Sequence, residues 1–385
     1  MSKKQTQRSG ARQELTAPLL LVGGAADAAD VHYAIGFTAP DPFLFLDAGT
    51  QQLLLVSLLE HGRAMETAKK CRVLLPKELP VSQTEQRRLS GGAYGLLKLV
   101  ARRCVRVSAN FPVAIARRLE KKGVRVKVLT TSVYPQRAIK NENEIHEIAQ
   151  AQHAAAAALQ AAVRQLRACA VDHGGYLRVR GRKYTSEDLR VVIEMELLRH
   201  HCNPGDTIVA SGPASANPHE RGSGPIRAGT PIILDIFPCR KTSGYYGDLT
   251  RTVVKGRAPE ALCRMMQTVE KAQKIALKNI RAGVALATPY QEVVDFIDRQ
   301  GFKTEVRDGV AYGFIHGLGH GVGLEIHEAP SLGSRATGRL RAGHVVTVEP
   351  GLYYPEIGGV RFEDTITVTA TGWRALAACD VPREV

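Results

Sequence analysis

Between Gly313 and Glu328 the chain reads Gly-Phe-Ile-His-Gly-Leu-Gly-His-Gly-Val-Gly-Leu-Glu-Ile-His-Glu, five glycines and three histidines in sixteen residues. Each glycine inside a helix costs about 1 kcal/mol relative to alanine. A helix is therefore excluded, although His316 and His320 stand four apart as they would on one helical face. Extended backbone that comes close to its neighbours is predicted instead. Three imidazoles on such a segment point to a site rather than to separately packed histidines.

Acidic residues flank this segment in runs that read as strands. Thr230-Pro-Ile-Ile-Leu-Asp235-Ile-Phe-Pro and Gly247-Asp248-Leu-Thr-Arg-Thr-Val-Val254 precede it. Val345-Val-Thr-Val-Glu349-Pro-Gly and Gly359-Val-Arg-Phe-Glu363-Asp-Thr-Ile-Thr-Val368 follow it. Their apolar and β-branched neighbours predict burial, and a buried carboxylate without a partner is costly or takes up a proton. Divalent metal is the simplest partner. Four carboxylates and one neutral imidazole carry a charge of about −4, which matches two divalent cations ~3.5–4 Å apart. Oxygen-rich ligands with a single imidazole suit manganese, with iron, cobalt or zinc as alternatives.

In order and local context, Asp235, Asp248, His320, Glu349 and Glu363 resemble the metal ligands of the pita-bread metallopeptidases, over residues 138–370. Within that family, the segments around His316–Glu328 and Val348–Tyr353 are similar to those of Xaa-Pro aminopeptidases and prolidases. The resemblance implies hydrolysis of the Xaa-Pro bond at the amino end of peptides, with two divalent ions and a homodimeric enzyme. It also implies that Glu349 takes a proton from the attacking water. His219 would approach the scissile peptide, and His327 would hydrogen-bond or relay a proton. His316, Ile326, Tyr353 and Arg361 would surround the proline on the far side of the cleaved bond. A prolidase-type dipeptidase, a creatinase-type hydrolase and a methionine-removing hydrolase are the enzymatic alternatives. A basic nucleic-acid- or protein-binding module is the non-enzymatic one. The chain departs from the family at Phe237-Pro238, where most relatives carry glycine two residues after the first ligand, and in the Gly-, Ser- and Pro-rich loop 211–226.

A chain of 385 residues with 44% hydrophobic content supports two or three domains with sizeable cores. No stretch is apolar enough to span a membrane, and residues 1–13 read as a basic tail expected to be disordered, without the apolar core of a secretory signal. Seven cysteines without a Cys-x-x-Cys pair fit reduced thiols and a cytoplasmic protein. The net charge of +15 raises nucleic acid as a partner, but the basic residues are dispersed and only 5% of residues are aromatic, which argues against it. Other motif readings fail. Position 324 is Leu, so the Gly-x-Gly-x-x-Gly spacing is missing, and neither His-Glu-x-x-His nor Gly-x-Ser-x-Gly occurs.

The expected architecture is a two-domain α/β protein. Residues 14–135 form a creatinase-like amino-terminal α/β domain, and residues 136–385 a pita-bread catalytic domain. In the first, Leu19–Val22, Phe43–Leu46 and Leu53–Val56 read as buried strands, and an Ile115–Lys122 helix stopped by Gly123 leads into a Val124–Leu129 strand. In the second, Asn141 and Glu144 predict a capping box for a long helix ending at Gly174-Gly175, and Thr185 with Asp188 starts another. Further helices are expected from Pro259 to Asn279 and from Pro289 to Gln300.

Overall fold

The computed structural model describes residues 17–68 and 70–385. The basic tail expected over residues 1–13 lies outside the described residues. Two compact units divide the chain, one ending at Pro135 and the other running from Gln136 to Val385.

The first unit is built on a six-stranded sheet in the order Arg72–Leu74, Gln52–Leu55, Phe43–Asp47, Leu19–Gly23, Cys104–Val107, Arg125–Val128. Its central strands, Leu19–Gly23, Phe43–Asp47 and Gln52–Leu55, read as nearly unbroken apolar runs because both faces are covered there. Leu20 and Val22 join the core under the helices Leu89–Leu99 and Val113–Lys121. Leu19 and Leu21 join the opposite core, with Val31, Ile35 and Ala64 from the helices Ala28–Ile35 and Leu58–Thr67. The period of two along a strand sorts alternate side chains to opposite faces.

The second unit contains two α/β halves, each with its own core. In the first half, helices Glu142–Ala168 and Ser186–Arg199 pack on an antiparallel sheet of Ile208–Ser211, Pro231–Ile236 and Leu249–Val254. Both helices start at the capping boxes expected from the sequence: Asn141 with Glu144, and Thr185 with Asp188. In the second half, helices Glu260–Asn279 and Thr288–Arg299 cover a five-stranded sheet. Its strand order is Glu328–Leu332, Gly319–Gly321, Val345–Val348, Asp364–Val368, Trp373–Ala375. The hairpin Gly351–Tyr354/Gly358–Arg361 lies in the same half. An isolated bridge between Thr250 and Glu363 joins the halves. Buried Arg251 reinforces it by donating to the Glu363 carbonyl at 2.5 Å and to Asp364 Oδ1 at 2.7 Å.

One expectation is corrected. The long helix ends at Ala168, not at Gly174-Gly175. The chain turns at Cys169 into a short strand, Ala170–Val171, paired with Leu177–Val179. The glycines form the tip of that hairpin, because Asp172 Oδ1 accepts from the N–H groups of Gly174 and Tyr176. Among the described residues no helix is long and apolar enough to cross a membrane.

Candidate metal centre and active site

Register decides where the acidic residues point. Asp235 lies within its strand, directly opposite Ile208 on one side and Thr250 on the other. Asp248 immediately precedes the Leu249–Val254 strand, Glu349 immediately follows Val345–Val348, and Glu363 sits between the Gly358–Arg361 and Asp364–Val368 strands. Three of the four carboxylates therefore occupy strand ends, where the backbone opens toward a common cavity of about 460 Å³. His320 is held on the three-residue strand Gly319–Gly321. Extended backbone with close approaches is what the glycines permit there: a Cβ on Gly319 would lie 2.1 Å from the Thr347 carbonyl oxygen.

The five residues converge. One ligand atom each from Asp248, His320 and Glu363 falls within 4.8 Å of the others. His320 Nε2 is 3.3 Å from Glu349 Oε1 and 3.6 Å from Asp248 Oδ2. Asp235 lines the same cavity and is ion-paired with Arg361, Nη2 to Oδ2 at 2.6 Å. The ion pair of Arg361 is thus with Asp235 rather than with its sequence neighbour Glu363. Thr250 Oγ1 donates to Glu363 Oε2 at 2.6 Å, and Thr347 Oγ1 to Glu349 Oε1 at 3.3 Å.

The residues fit divalent cations. Asp248 Oδ1 and Glu363 Oε1 are buried without a hydrogen-bond partner among the described residues, an arrangement that is expensive unless something positive completes it. Burial, then repulsion from Glu363, Asp235 and Glu349, pushes the Asp248 carboxyl well above the ordinary range. Burial, then Glu349 and Asp235, does the same to Glu363. Burial raises Glu349 to about 8. His320 is driven the other way, to about 4, by burial and by the neighbouring His327, so its imidazole is in the neutral, metal-binding form at pH 7.

The remaining residues expected from the sequence line the same cavity or stand behind it. His327 packs edge-on against His320, ring centroids 4.3 Å apart. His219 and Ile326 line the cavity beside it. His316 Nε2 is 3.0 Å from the Tyr353 hydroxyl, and Arg361 Nη1 donates to that same oxygen at 2.8 Å. Tyr353 is fully buried, and burial raises its phenol to about 12. His316, Tyr353, Arg361 and Asp235 thereby form one continuous hydrogen-bonded chain.

Several supporting residues carry no motif. Gln152, buried in the long helix, accepts from the Asp248 N–H and donates to the Asp248 carbonyl, both at 2.7 Å. Gln273, in the first helix of the other half, donates to the carbonyls of Val348 and Phe362, each one residue ahead of an acidic member of the cage. Glu328, next to His327, receives Lys140 Nζ at 2.5 Å and Arg137 Nη2 at 2.7 Å in a nearly dry cluster. Ile208, Pro218, Phe237 and Ile315 add apolar walls to the cavity.

A buried cage of carboxylates around an imidazole, set between two α/β halves, is a candidate site for divalent metal. Residues 146–370 match the model of metallopeptidase family M24, and the chain belongs to that family. An Xaa-Pro dipeptidase of Pyrococcus horikoshii is 32% identical over 273 residues, 70% of this chain and 72% of the relative. The crystal structure of the prolidase from Pyrococcus horikoshii OT3 aligns with a TM-score of 0.80 at 27% identity, covering 97% of each chain. The X-Pro aminopeptidase from Thermotoga maritima MSB8 aligns with a TM-score of 0.79 over 100% of this chain and 99% of its own. At 24% identity that likeness is one of fold alone. The family resemblance carried by the sequence motifs, and the two-domain α/β fold it implied, are borne out.

Proposed function

We propose that the protein hydrolyses the Xaa-Pro bond at the amino end of peptides, in the manner of an aminopeptidase P, with two divalent ions held by Asp235, Asp248, His320, Glu349 and Glu363. Residues 14–135 are its creatinase-like amino-terminal domain and residues 136–385 its catalytic domain. The observation that carries the reading is a pair of buried oxygens without a hydrogen-bond partner among the described residues, Asp248 Oδ1 and Glu363 Oε1, in carboxylates that each bring a ligand atom within 4.8 Å of the other's and of His320's. Divalent cations in this cage supply Lewis acidity, polarising the scissile carbonyl and lowering the pKa of a water. Manganese is the ion proposed, because carboxylate oxygens dominate the donor set.

The chain's own groups do the rest. Glu349, held ionised when divalent cations offset the charge of the cage, would accept the proton of the attacking water on a carboxylate oxygen. His219, at the cavity rim, hydrogen-bonds the scissile peptide. His327 stabilises the charge that develops on the carbonyl oxygen and relays the proton that Glu349 took from the water to the departing proline nitrogen, so that the C–N bond breaks to a neutral amine as the new C–O bond completes the acid. The His316–Tyr353–Arg361 chain, with Ile326 beside it, orients the proline ring and its backbone.

A dipeptidase reading is favoured by one observation, that the relative 32% identical over most of this chain is an Xaa-Pro dipeptidase. Peptide length separates the two. Under manganese, Xaa-Pro-led peptides of three or more residues are cleaved by the aminopeptidase and spared by the dipeptidase. Methionyl peptides without proline are spared by both. Turnover of the methionyl series alone would replace the Xaa-Pro assignment. Seven free thiols support a reducing, cytoplasmic setting. The proposal includes a homodimer, which light scattering would register at twice the chain mass.

A further inference from the structure

Lys140 is a buried cation that takes no part in the proposed hydrolysis. Its side chain is 1% exposed, and its Nζ lies 2.5 Å from Glu328 Oε1. The other oxygen of that carboxylate, Oε2, accepts from Arg137 Nη2 at 2.7 Å. Arg137 also donates to Glu325 Oε2 at 2.8 Å, so both acidic residues of the loop 323–328 are tied to one short segment, 137–140. That segment is fixed in turn, because the Lys140 N–H donates to the Gly343 carbonyl at 2.8 Å and Ile139 bridges to His344.

The loop is shaped around the carboxylate. The Glu325 N–H points at Glu328 Oε2 from 3.4 Å. A Cβ on Gly323 would stand 2.4 Å from Glu328 Oε1, so the absence of a side chain at 323 makes room for the carboxylate where Lys140 and Arg137 hold it. At the other end of the loop, the Tyr246 N–H donates to the Gly323 carbonyl at 2.9 Å. Between these two anchors sit Ile326 and His327, which line the cavity while Glu328 does not. The His327 ring packs edge-on against His320, a contact with no hydrogen bond to aim it. The backbone of the loop therefore decides where the imidazole stands.

Burial pulls the Lys140 ammonium below its ordinary range, against the opposing pull of Glu328. An ion pair taken so far out of water returns little net stability, whereas losing one partner leaves a charge buried alone. What the pair provides is a fixed place for the loop.

We propose that Glu328 is a positioning residue for the hydrolysis: gripped by Lys140 and Arg137, it sets where the His327 imidazole stands against the substrate. This rests on the Xaa-Pro reading, in which His327 stabilises the developing charge and relays a proton.

The test is a double-mutant cycle. Glu328→Gln is made in the wild type and in His327→Ala, and kcat, KM and metal content are measured on one Xaa-Pro peptide at saturating manganese. In the wild-type background Glu328→Gln should keep its metal and its KM while kcat falls about tenfold to 100-fold, the upper value being what roughly 1 Å of misplacement costs. In the His327→Ala background it should cost no further kcat, because the group it positions is gone. A general loosening of the fold would instead lower kcat equally in both backgrounds. Arg137→Gln, which leaves the Lys140–Glu328 pair in place, should show a smaller fall with the same dependence on His327; it carries the test alone if Glu328→Gln does not fold. Equal losses in the two backgrounds, an unchanged kcat in Glu328→Gln, or loss of metal from it overturns the positioning role while leaving Xaa-Pro cleavage intact. A His327→Ala variant with wild-type kcat, or a wild type that cleaves no Xaa-Pro peptide, instead overturns the reading beneath it.

Discussion

The two halves of the metallopeptidase unit support the cage with the same device, used differently. Each half opens with a long helix, and each helix turns one buried glutamine toward the acidic strands. In the first half Gln152 holds the peptide group of Asp248 itself, through both its N–H and its carbonyl. In the second half Gln273 reaches only carbonyls, those of Val348 and Phe362, and the Asp364 carboxylate at 3.0 Å. The first half therefore fixes a single cage carboxylate at its own backbone. The second steadies two of them through the residues ahead of them, and leaves the histidine segment to a separate brace, the Lys140–Glu328–Arg137 cluster. A cage with members from both halves needs both supports, but not equally.

The largest effects should ignore that difference. Asp248→Ala removes a proposed ligand from the first half and Glu363→Ala one from the second, and each should lower metal content and activity together to near background. Parallel elemental analysis and kinetics check this. A variant that keeps full metal would remove its residue from the cage.

Next comes the histidine segment. His327→Ala should keep its metal while kcat falls by on the order of 10²–10⁴, the range for a lost acid–base or oxyanion contact. KM should change little. His320→Ala should instead lose metal and activity together. Exchange of these two outcomes would exchange the two roles.

The glutamines give the smaller and more discriminating contrast. Gln152→Leu strands the buried Asp248 N–H, while the Asp248 carbonyl keeps Thr365 Oγ1 at 2.8 Å; the lost donor partner costs roughly 1–3 kcal/mol, and loosening the support of a proposed ligand weakens metal affinity about 10–100-fold. Gln273→Leu strands acceptors only, and Asp364 keeps Arg251 as a partner at 2.7 Å. Its cost should be nearer ~1 kcal/mol, with a correspondingly small change in affinity. Urea melts and metal titrations of both variants measure the difference. Equal losses would mean that the two helices support the cage alike.

What the sequence made legible follows from what kinds of contact are local. The five proposed ligands each stand in a short run whose neighbours announce a strand, and the glycines of 313–328 announce the irregular backbone between them. Capping boxes are local as well, and both expected in the second unit are present. The end of the long helix was misread because Gly174-Gly175 looks like a helix stop, whereas Asp172 had already committed those residues to a hairpin. The wall of Ile208, Pro218 and Phe237 depends on a register that joins residues far apart in sequence, and Lys140 meets Glu328 across 188 positions. Gln152 and Gln273 carried a signal that was not read. Gln152 follows Ile148 by four on the buried stripe of its helix, and Gln273 follows Val269 by four on its own. A glutamine where the period calls for an apolar side chain marks a buried polar contact.

The central claim is that acidic residues from both halves form one cage for divalent ions. The most direct measurement is metal content by elemental analysis after manganese loading and desalting, read beside the melting temperature with and without chelator. The account predicts two ions per chain, together with a fall in melting temperature on chelation, since ligand binding to the native state stabilises it by about 2.7 kcal/mol at a hundredfold excess over Kd. A loaded protein that retains no metal, and whose melting temperature chelator leaves unchanged, would contradict it.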